Sequence, residues 1–391
     1  MKNMNFRWCL TGLLAMSFAV GLFCLTYAGS YDDTGIVDPS AIKEDNGKGI
    51  PRDKIRIGVL YISDPAEGAG YTYSHDIGIQ EMQRNLGLKP EQIMRCKNVS
   101  DDDPRGVDVA VEKCVAAGCN IIFATSFGYM DEIALLSQKY PDVYFLHASG
   151  YKSNDRNFNN YFGRIYQPRY LSGIAAGMKT KSNRIGYVAA MGSTNAEVTG
   201  GIDAFAMGVQ AVNPAARVYV KVTNSWFAPD KEKAAARELL ENGCDVLSQH
   251  CDTSYPLELA EKQGAWGIGY NSDMRRQTPD SALVSVVWKW GAYYSDIVQK
   301  IIDGEWSGEN YYGGMQEGIV AITELSEKNS PEARAAVADA EKRILNGELK
   351  IFTGQIETNM GSMVGADGHD FTDAEITSGI HWYFKNVEVL P

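Results

Sequence analysis

Aromatic side chains and carboxylate or amide side chains recur in the short segments that follow predicted strands. Those segments are residues 64–73, 126–129, 225–229, 251–255, 271–273 and 288–290. The residues in or beside them that we expect to contact a ligand are Tyr71, Phe127, Asp131, Trp226, Phe227, Asp252, Asn271, Asp273, Trp288 and Trp290. Aromatic faces stack on a flat ring, and a few polar groups read its N–H groups and ring nitrogens. The set therefore predicts a site for a flat, uncharged heterocycle.

Each of these residues also has a purely structural interpretation. Taken singly, the aromatic residues are equally compatible with a core position. Asp131 opens a predicted helix, where an acidic side chain complements the helix dipole. His75 and His250 flank the same segments, and a hydrogen-bonded structural histidine is the simpler interpretation of each. The binding prediction therefore depends on the whole set rather than on any one residue.

The patterns of common catalytic sites are missing from this sequence. It contains no Gly-x-Ser-x-Gly elbow, no Gly-x-x-x-x-Gly-Lys-Ser/Thr loop and no Gly-x-Gly-x-x-Gly after the first strand. The histidines at 75, 147, 250, 369 and 381 show no metal-ligand spacing. We therefore expect a binding protein without a cofactor or metal. A nucleoside hydrolase built from Asp131, Asp252 and Asp273 is the enzymatic alternative.

The elements that position these segments alternate strand and helix twice along the chain. In the first run, strands are predicted at 55–62, 93–99, 120–125 and 143–148, with helices at 74–86, 107–117 and 130–139. In the second, strands are predicted at 184–190, 217–224, 245–250 and 267–270, with helices at 196–212, 231–241 and 257–262. Such alternation is typical of parallel sheets. We expect an α/β protein with two doubly wound lobes around a ligand cleft, because ligands bind beyond the carboxyl ends of the strands.

The first 28 residues have the pattern of a secretory signal peptide. Lys2 and Arg7 precede an apolar run at 10–25, and Thr26-Tyr27-Ala28 offers small residues at the cleavage positions. A retained membrane anchor is the alternative, but the run is short for a membrane span. A lipid anchor at Cys24 is disfavoured because Phe23 precedes it. We expect export to the periplasm, with 29–53 as a polar leader.

Charge and cysteine content restrict the partners. The formal net charge is −12, and loss of Lys2 and Arg7 makes it two units more negative. Such an acidic protein is unsuited to nucleic acid or anionic membranes. Cys96, Cys114, Cys119, Cys244 and Cys251 remain after cleavage, and an odd number leaves at least one free thiol. Their pairing stays open, and we expect a monomer.

Several segments, in their order and spacing, carry a resemblance to a known family. They are residues 123–129, 170–177, 181–188, 284–287, 313–320 and 351–354. Together they resemble the basic membrane protein family, the substrate-binding components of ABC importers that include purine-nucleoside receptors. The similarity covers about residues 54–390.

This resemblance implies a type I periplasmic-binding fold and a ligand site. Lobe 1 would comprise residues 54–182, lobe 2 residues 183–290, and residues 291–391 would return to lobe 1. In nucleoside-binding members, two aromatic rings sandwich the purine; the matching positions here are Tyr71 and Trp226, with Phe227 as the neighbouring candidate. Asp131 resembles the carboxylate that reads the base. The implied partner is a permease in the inner membrane.

The sequence departs from the nucleoside-binding pattern at the positions that grip the ribose. Gly68 and Asn271 stand where nucleoside binders have Asp, and Trp288 stands where they have Lys. These changes remove side chains that could form hydrogen bonds with the hydroxyl groups of a ribose. A buried hydroxyl group without a hydrogen-bond partner is energetically unfavourable. The segment 288–294 also resembles a subgroup associated with free purine bases such as adenine. We therefore expect a nucleobase ligand; the alternatives are a nucleoside ligand, or a receptor that presents its ligand to a membrane sensor.

Overall fold

The computed structural model describes residue 42 and residues 45–391. Its strands are β1 (Ile57–Leu60), β2 (Ile93–Cys96), β3 (Ile121–Ala124), β4 (Tyr144–Ala148), β5 (Phe158–Gly163), β6 (Arg184–Ala189), β7 (Arg217–Val222), β8 (Val246–His250), β9 (Trp266–Asn271), β10 (Ala282–Trp288), β11 (Tyr311–Gly313), β12 (Val320–Ile322), β13 (Ile356–Glu357), β14 (Met363–Val364) and β15 (Val387–Val389). Its helices are α1 (Gly70–Asn85), α2 (Pro104–Ala116), α3 (Met130–Lys139), α4 (Tyr166–Lys179), α5 (Ala196–Val212), α6 (Pro229–Glu241), α7 (Tyr255–Lys262), α8 (Trp290–Asp303), α9 (Pro331–Leu345) and α10 (Asp373–Gly379). The predicted signal peptide at 1–28 lies outside the described residues.

The first sheet is parallel throughout and has helices on both faces. Its six strands run in the order β11-β5-β4-β3-β1-β2. Ile57 and Val59 pack with residues of α1 and α8, whereas Leu60 packs on the opposite face with residues of α2 and α3. Burial on both faces explains why β1 and β3 are continuous apolar runs rather than alternating ones.

The second sheet has seven strands in the order β12-β10-β9-β8-β6-β7-β15, and only β12 runs antiparallel to its neighbour. Both edge strands come from the last eighty residues of the chain. The prediction that residues 291–391 return to the first lobe as a whole is therefore wrong. α8 packs on α1 and β11 pairs with β5, but β12 and β15 then complete the second sheet. They cover the edges of β10 and β7, whose backbone groups would otherwise lack partners.

Two local features were not expected from the sequence. β5 (Phe158–Gly163) escaped prediction because Asn159 and Asn160 interrupt its apolar pattern, yet both side chains are buried. Asn159 donates to the Glu309 carbonyl, and the Asn310 side chain accepts from the Asn160 backbone. The end of the predicted leader is also attached to the fold, because the Gly49 backbone amide donates to the Ile302 carbonyl.

Two further observations concern the state of the cysteine thiols and the possibility of a membrane-spanning helix. Cys96, Cys114, Cys119, Cys244 and Cys251 are free thiols. The sulfur atoms of Cys96 and Cys114 lie 3.6 Å apart, farther than the roughly 2.0 Å of a disulfide bond. Within residues 45–391, no helix combines the length and the apolar character needed to cross a membrane.

Close packing of α4 against α5 depends on glycine. A Cβ atom added at Gly208 would lie 2.0 Å from the Tyr170 carbonyl oxygen, and one added at Gly173 would lie equally close to the Phe205 carbonyl oxygen. Each helix therefore approaches the backbone of the other directly. Gly200, also in α5, has ordinary space, since its nearest neighbour would be the Ile380 side chain at 3.5 Å.

We expect Gly208→Ala to destabilise the protein by about 1–3 kcal/mol, because the two helices must move apart to admit the methyl group. The matched variant Gly200→Ala should be neutral or slightly stabilising, since alanine favours a helix over glycine by about 1 kcal/mol. Urea unfolding of both variants measures the difference. Equal stabilities for the two variants would contradict the packing described here.

Candidate ligand-binding site

Loops from the two sheets meet at the carboxyl ends of their strands. The loop after β1 reaches the loop after β8 at Gly70, where an added Cβ atom would lie 2.4 Å from the Asp252 carbonyl oxygen. Gly70 also has a φ of +84°, a conformation that other residues adopt with strain. Nearby, the Gln277 side chain donates to the Gly68 carbonyl across 3.2 Å. Segments far apart in sequence therefore come together beyond the strand ends, as the α/β rule predicts.

A stack of aromatic rings connects the two sheets at this point. The Trp290 ring, at the start of α8, stacks on Trp288 at a centroid distance of 4.3 Å and on the imidazole of His75 at 4.3 Å. Tyr71 meets the His75 ring edge-on at 4.4 Å. Trp288, His75 and Trp290 are almost fully buried. The first-sheet helix α1 and the second-sheet strand β10 therefore contribute rings to one cluster.

The same cluster continues into the second sheet. The Trp288 indole N–H donates to the Tyr270 hydroxyl across 3.4 Å. The Tyr270 ring contacts His250 at 4.6 Å, and His250 contacts the Trp226 ring at 5.8 Å. We call this set the aromatic cluster; its members are Tyr71, His75, Trp226, His250, Tyr270, Trp288 and Trp290. Tyr270 was not predicted from the sequence, because it lies within a strand and not in a segment that follows one.

Polar groups with unused hydrogen-bonding capacity surround the aromatic cluster. Asn271, buried and at a φ of +68°, donates from Nδ2 to Asp252 Oδ1 across 2.8 Å. In the described part of the chain, the buried atoms without a hydrogen-bond partner include Asn271 Oδ1, Thr72 Oγ1, Ser272 Oγ and His75 Nε2. Buried polar atoms are normally hydrogen-bonded, so these four have capacity for a further hydrogen bond, for example to a ligand.

Besides the Asp252 carboxylate, the carboxyl group of Glu197 and the guanidinium of Arg169 lie beside the cluster. Arg169 is completely buried, and its guanidinium lies 4.1 Å from the Tyr270 ring centre while Nη1 donates to the Gln249 carbonyl. Burial raises the pKa of Glu197 to about 7, an effect that the opposing attraction of Arg169 only partly offsets. Burial lowers the pKa of His75 and of His250, so both imidazoles are neutral at physiological pH. The histidines therefore contribute ring faces and neutral hydrogen-bonding atoms.

Sequence reasoning did not single out Glu197 or Arg169. Glu197 is the second residue of α5, where an acidic side chain ordinarily complements the helix dipole. Arg169 lies inside α4 and has no distinctive motif around it. Only their burial in the folded protein distinguishes them from surface charges.

The structure brings together Tyr71, Trp226, Asp252, Asn271, Trp288 and Trp290, which were predicted as site residues. Four other predicted residues lie elsewhere. Phe127 and Phe227 are more than half exposed, and Asp131 is 80% exposed and forms an ion pair with Lys152. Asp273 accepts from the backbone and the side chain of Arg275. The ligand contacts predicted for these four residues stay predictions.

Two cavities of the described structure lie away from the aromatic cluster. A cavity of about 380 Å³ is bounded by Tyr170 of α4, Met207 of α5 and the β13–β14 hairpin. Another, of about 420 Å³, lies beside α9. The rings of the aromatic cluster contact one another directly. In residues 45–391, no group of histidine, cysteine and acidic side chains is arranged to hold a metal ion.

The fold and the position of the site define a class of protein. A solved ABC transporter solute-binding protein from Aeropyrum pernix K1 superposes with a TM-score of 0.65 at 16% identity, covering 76% of this chain and 92% of that chain. The structure contains two doubly wound sheets whose strands end at a common site. This arrangement is the type I periplasmic-binding-protein fold. The predicted fold class is confirmed.

The chain belongs to the PnrA-like family of ABC transporter substrate-binding proteins, whose model matches residues 54–355. A purine-binding protein of Brucella abortus (strain 2308) is 37% identical over 339 residues, 86% of this chain and 93% of that protein. A putative ABC transporter glucose-binding protein of Haloferax volcanii is 34% identical over 295 residues, 75% of this chain and 73% of that protein. The protein is therefore a substrate-binding component of an ABC system and not an enzyme, and the family predicted from its motifs is confirmed.

Protonation of Glu197 makes stability depend on pH. Because burial raises the pKa of this carboxyl from its ordinary 4.5 to about 7, its contribution to stability is complete below pH 4.5 and is lost as the pH rises through about 7. About a quarter of the side chain is exposed, which reduces the effect. Between pH 5 and pH 8 we expect the wild type to lose about 1–2 kcal/mol of unfolding free energy relative to Glu197→Gln. Urea unfolding across this range tests it; parallel pH profiles would show that Glu197 does not titrate there.

Proposed function

We propose that this protein is exported to the periplasm and delivers a purine nucleobase, adenine or a close relative, to the permease of an ABC importer. The lobes are formed by the first and the second sheet, each with its covering helices. The base is held among the aromatic cluster when the lobes close. The observation that carries the proposal is the meeting of stacked rings and unsatisfied polar atoms at the strand ends of both sheets.

The chemistry of the cluster suits a flat heterocycle. Tyr71 from the first sheet and Trp226 from the second are the proposed stacking pair, and both are only partly buried, so each has ring surface to offer. Asn271 Oδ1 accepts an N–H of the base, and His75 Nε2 meets a ring nitrogen or an N–H according to its tautomer. The imidazoles of His75 and His250 are neutral, so they can bind an uncharged ligand.

Three features favour a free base over a nucleoside. Trp288 is 4% exposed and stacks on Trp290, so an apolar ring occupies space that a ribose would need. The Asn271 amide already donates to Asp252, which reduces its capacity to bind a hydroxyl group. Gly68, at a φ of +76°, offers no side chain to a sugar. A ribose would therefore bury hydroxyl groups without partners, which costs about 1–3 kcal/mol for each group.

The relatives support a small ligand but carry names for different solutes. The Brucella protein is named for purine binding, and the Haloferax protein is named, as putative, for glucose binding. Aromatic faces also pack against sugar rings, so glucose is the competing ligand. Sugar binding relies on several hydrogen bonds to hydroxyl groups, whereas the cluster offers mainly ring faces and a few polar atoms. Presentation of the ligand to a membrane sensor is the alternative to transport.

We expect adenine to raise the melting temperature, and adenosine and glucose to raise it much less. A ligand that binds only the folded protein with micromolar affinity adds about 4 kcal/mol at millimolar concentration. Thermal unfolding with adenine, hypoxanthine, adenosine and glucose provides the comparison. A shift with glucose and none with any purine would contradict the proposal, and a larger shift with adenosine would indicate a nucleoside receptor.

Replacement of Trp226 tests whether its ring stacks on the ligand. We expect Trp226→Ala to weaken adenine binding at least tenfold, because stacking and burial of the base are lost together. The matched control is Trp266→Ala. Trp266 begins β9, at the end of the strand away from Asn271, and its ring packs against Lys179. The control should lower stability and leave the Kd for adenine unchanged. Calorimetric titration measures both; equal affinities for the two variants would assign Trp226 to the core.

A further inference from the structure

Glu197 occupies an unusual place for an acidic side chain. It lies in the first turn of α5, after β6, and Asn195 already caps this helix by accepting from the Val198 backbone amide. An acidic residue can complement a helix dipole while it remains at the surface, as Asp131 of α3 does. Glu197 instead points into the protein, and its Oε1 lies 3.5 Å from His250 Nε2 of the aromatic cluster.

Groups from both sheets surround this carboxyl. The titratable or charged side chains whose ionisation interacts with it are Tyr71 of α1, Arg169 of α4, Tyr187 of β6, His250 of β8, Tyr270 of β9 and Tyr312 of β11. Burial raises the pKa of Glu197, and interactions with Arg169 and the Tyr270 hydroxyl oppose that effect. The carboxyl therefore lies where the first and second sheets meet, among the rings that form the proposed ligand site.

An ion pair with Arg169 does not account for this position. Arg169 donates from Nη1 to the Gln249 carbonyl, and its guanidinium lies over the Tyr270 ring. Its Nε and Nη2 atoms have no hydrogen-bond partner among residues 45–391. The guanidinium therefore supplies positive potential near Glu197 without binding the carboxylate through these atoms, and the carboxylate keeps capacity to accept another hydrogen bond.

Independent signs of a ligand lie in the same cluster. His75 Nε2 and Asn271 Oδ1 belong to side chains with no exposed surface, and neither atom has a partner in the described structure. Tyr71 links these groups to Glu197, because its ring contacts His75 and the charges of Glu197 and Asp252 both act on its hydroxyl. Glu197 itself contacts this cluster through His250, at 3.5 Å.

We propose that Glu197 determines specificity by accepting a hydrogen bond from a ring N–H of the bound heterocycle. This inference rests on the proposed function. A carboxylate only accepts hydrogen bonds, so it favours a ligand atom that carries a hydrogen. A free purine has an N–H on its five-membered ring, and a nucleoside has a sugar there instead. Glu197 thereby selects free bases over nucleosides and N-alkylated bases.

Binding should release protons. Because the pKa of Glu197 is about 7, the carboxyl is about half protonated at pH 7, and an N–H donor binds the ionised form more tightly than the protonated form. Burial lowers the pKa values of His75 and His250, so these imidazoles do not take up the proton. A base that pairs with Glu197 therefore displaces about half a proton for each molecule bound at pH 7.

Calorimetric titration with adenine and 9-methyladenine, in phosphate and in Tris buffer at pH 7, tests this proposal. For the wild type we expect release of about half a proton with adenine, and binding of 9-methyladenine that is weaker by about tenfold to a hundredfold. Glu197→Gln should bind adenine more weakly by a similar factor, release no proton and distinguish the two ligands less than threefold. Glu341→Gln is the matched control, since burial also raises the pKa of Glu341, which lies on α9. It should behave like the wild type.

The outcomes separate this inference from the proposed function. If Glu197→Gln binds adenine within twofold of the wild type and releases the same number of protons, Glu197 does not read the ligand, although purine binding stands. If the folded wild type binds no purine base at millimolar concentration, the proposed function and this inference both fail. Should Glu197→Gln not fold, Glu197→Asp retains the charge on a shorter side chain. That variant should keep proton release while losing affinity, and unchanged affinity would overturn the inference.

Discussion

The stack of Trp288, Trp290 and His75 is the contact on which the rest of this site depends. Trp288 ends β10 in the second sheet, Trp290 begins α8, and His75 lies on α1 over the first sheet. The chain crosses from one sheet to the other at this stack. Whatever changes the separation of the sheets therefore changes the site, because the same rings form the crossing and the candidate binding surface.

In the proposed function, ligand binding is coupled to closure of the lobes. Polar atoms such as Asn271 Oδ1 and His75 Nε2 are buried without partners when the loops meet, and such burial is unfavourable. A ligand with matching N–H groups and ring nitrogens supplies those partners and so stabilises the closed arrangement. Affinity then reflects both the contacts and the fraction of molecules able to close, as expected for a two-state binding protein. In our proposal, the protonation state of Glu197 also affects this balance.

Much of the architecture followed from sequence pattern. Alternating apolar strands and amphipathic helices predicted two α/β units, since the periodicity of buried residues directly reflects secondary structure. The rule that ligands bind beyond strand ends then selected Tyr71, Asp252, Asn271 and Trp288, which the fold does bring together. The same rule also selected Phe127, which is largely exposed, because position after a strand does not specify the direction of a side chain.

The sequence by itself determined the α/β class, the family and the aromatic character of the candidate site, because these depend on local periodicity, motif order and residue type. Only the tertiary structure decided which sheet receives β12 and β15, since edge pairing joins residues far apart in the chain. It likewise decided that Asp131 pairs with Lys152 at the surface while Glu197, only about a quarter exposed, lies beside His250. Both are acidic residues in the first turn of a helix, and only their surroundings in the folded protein distinguish them.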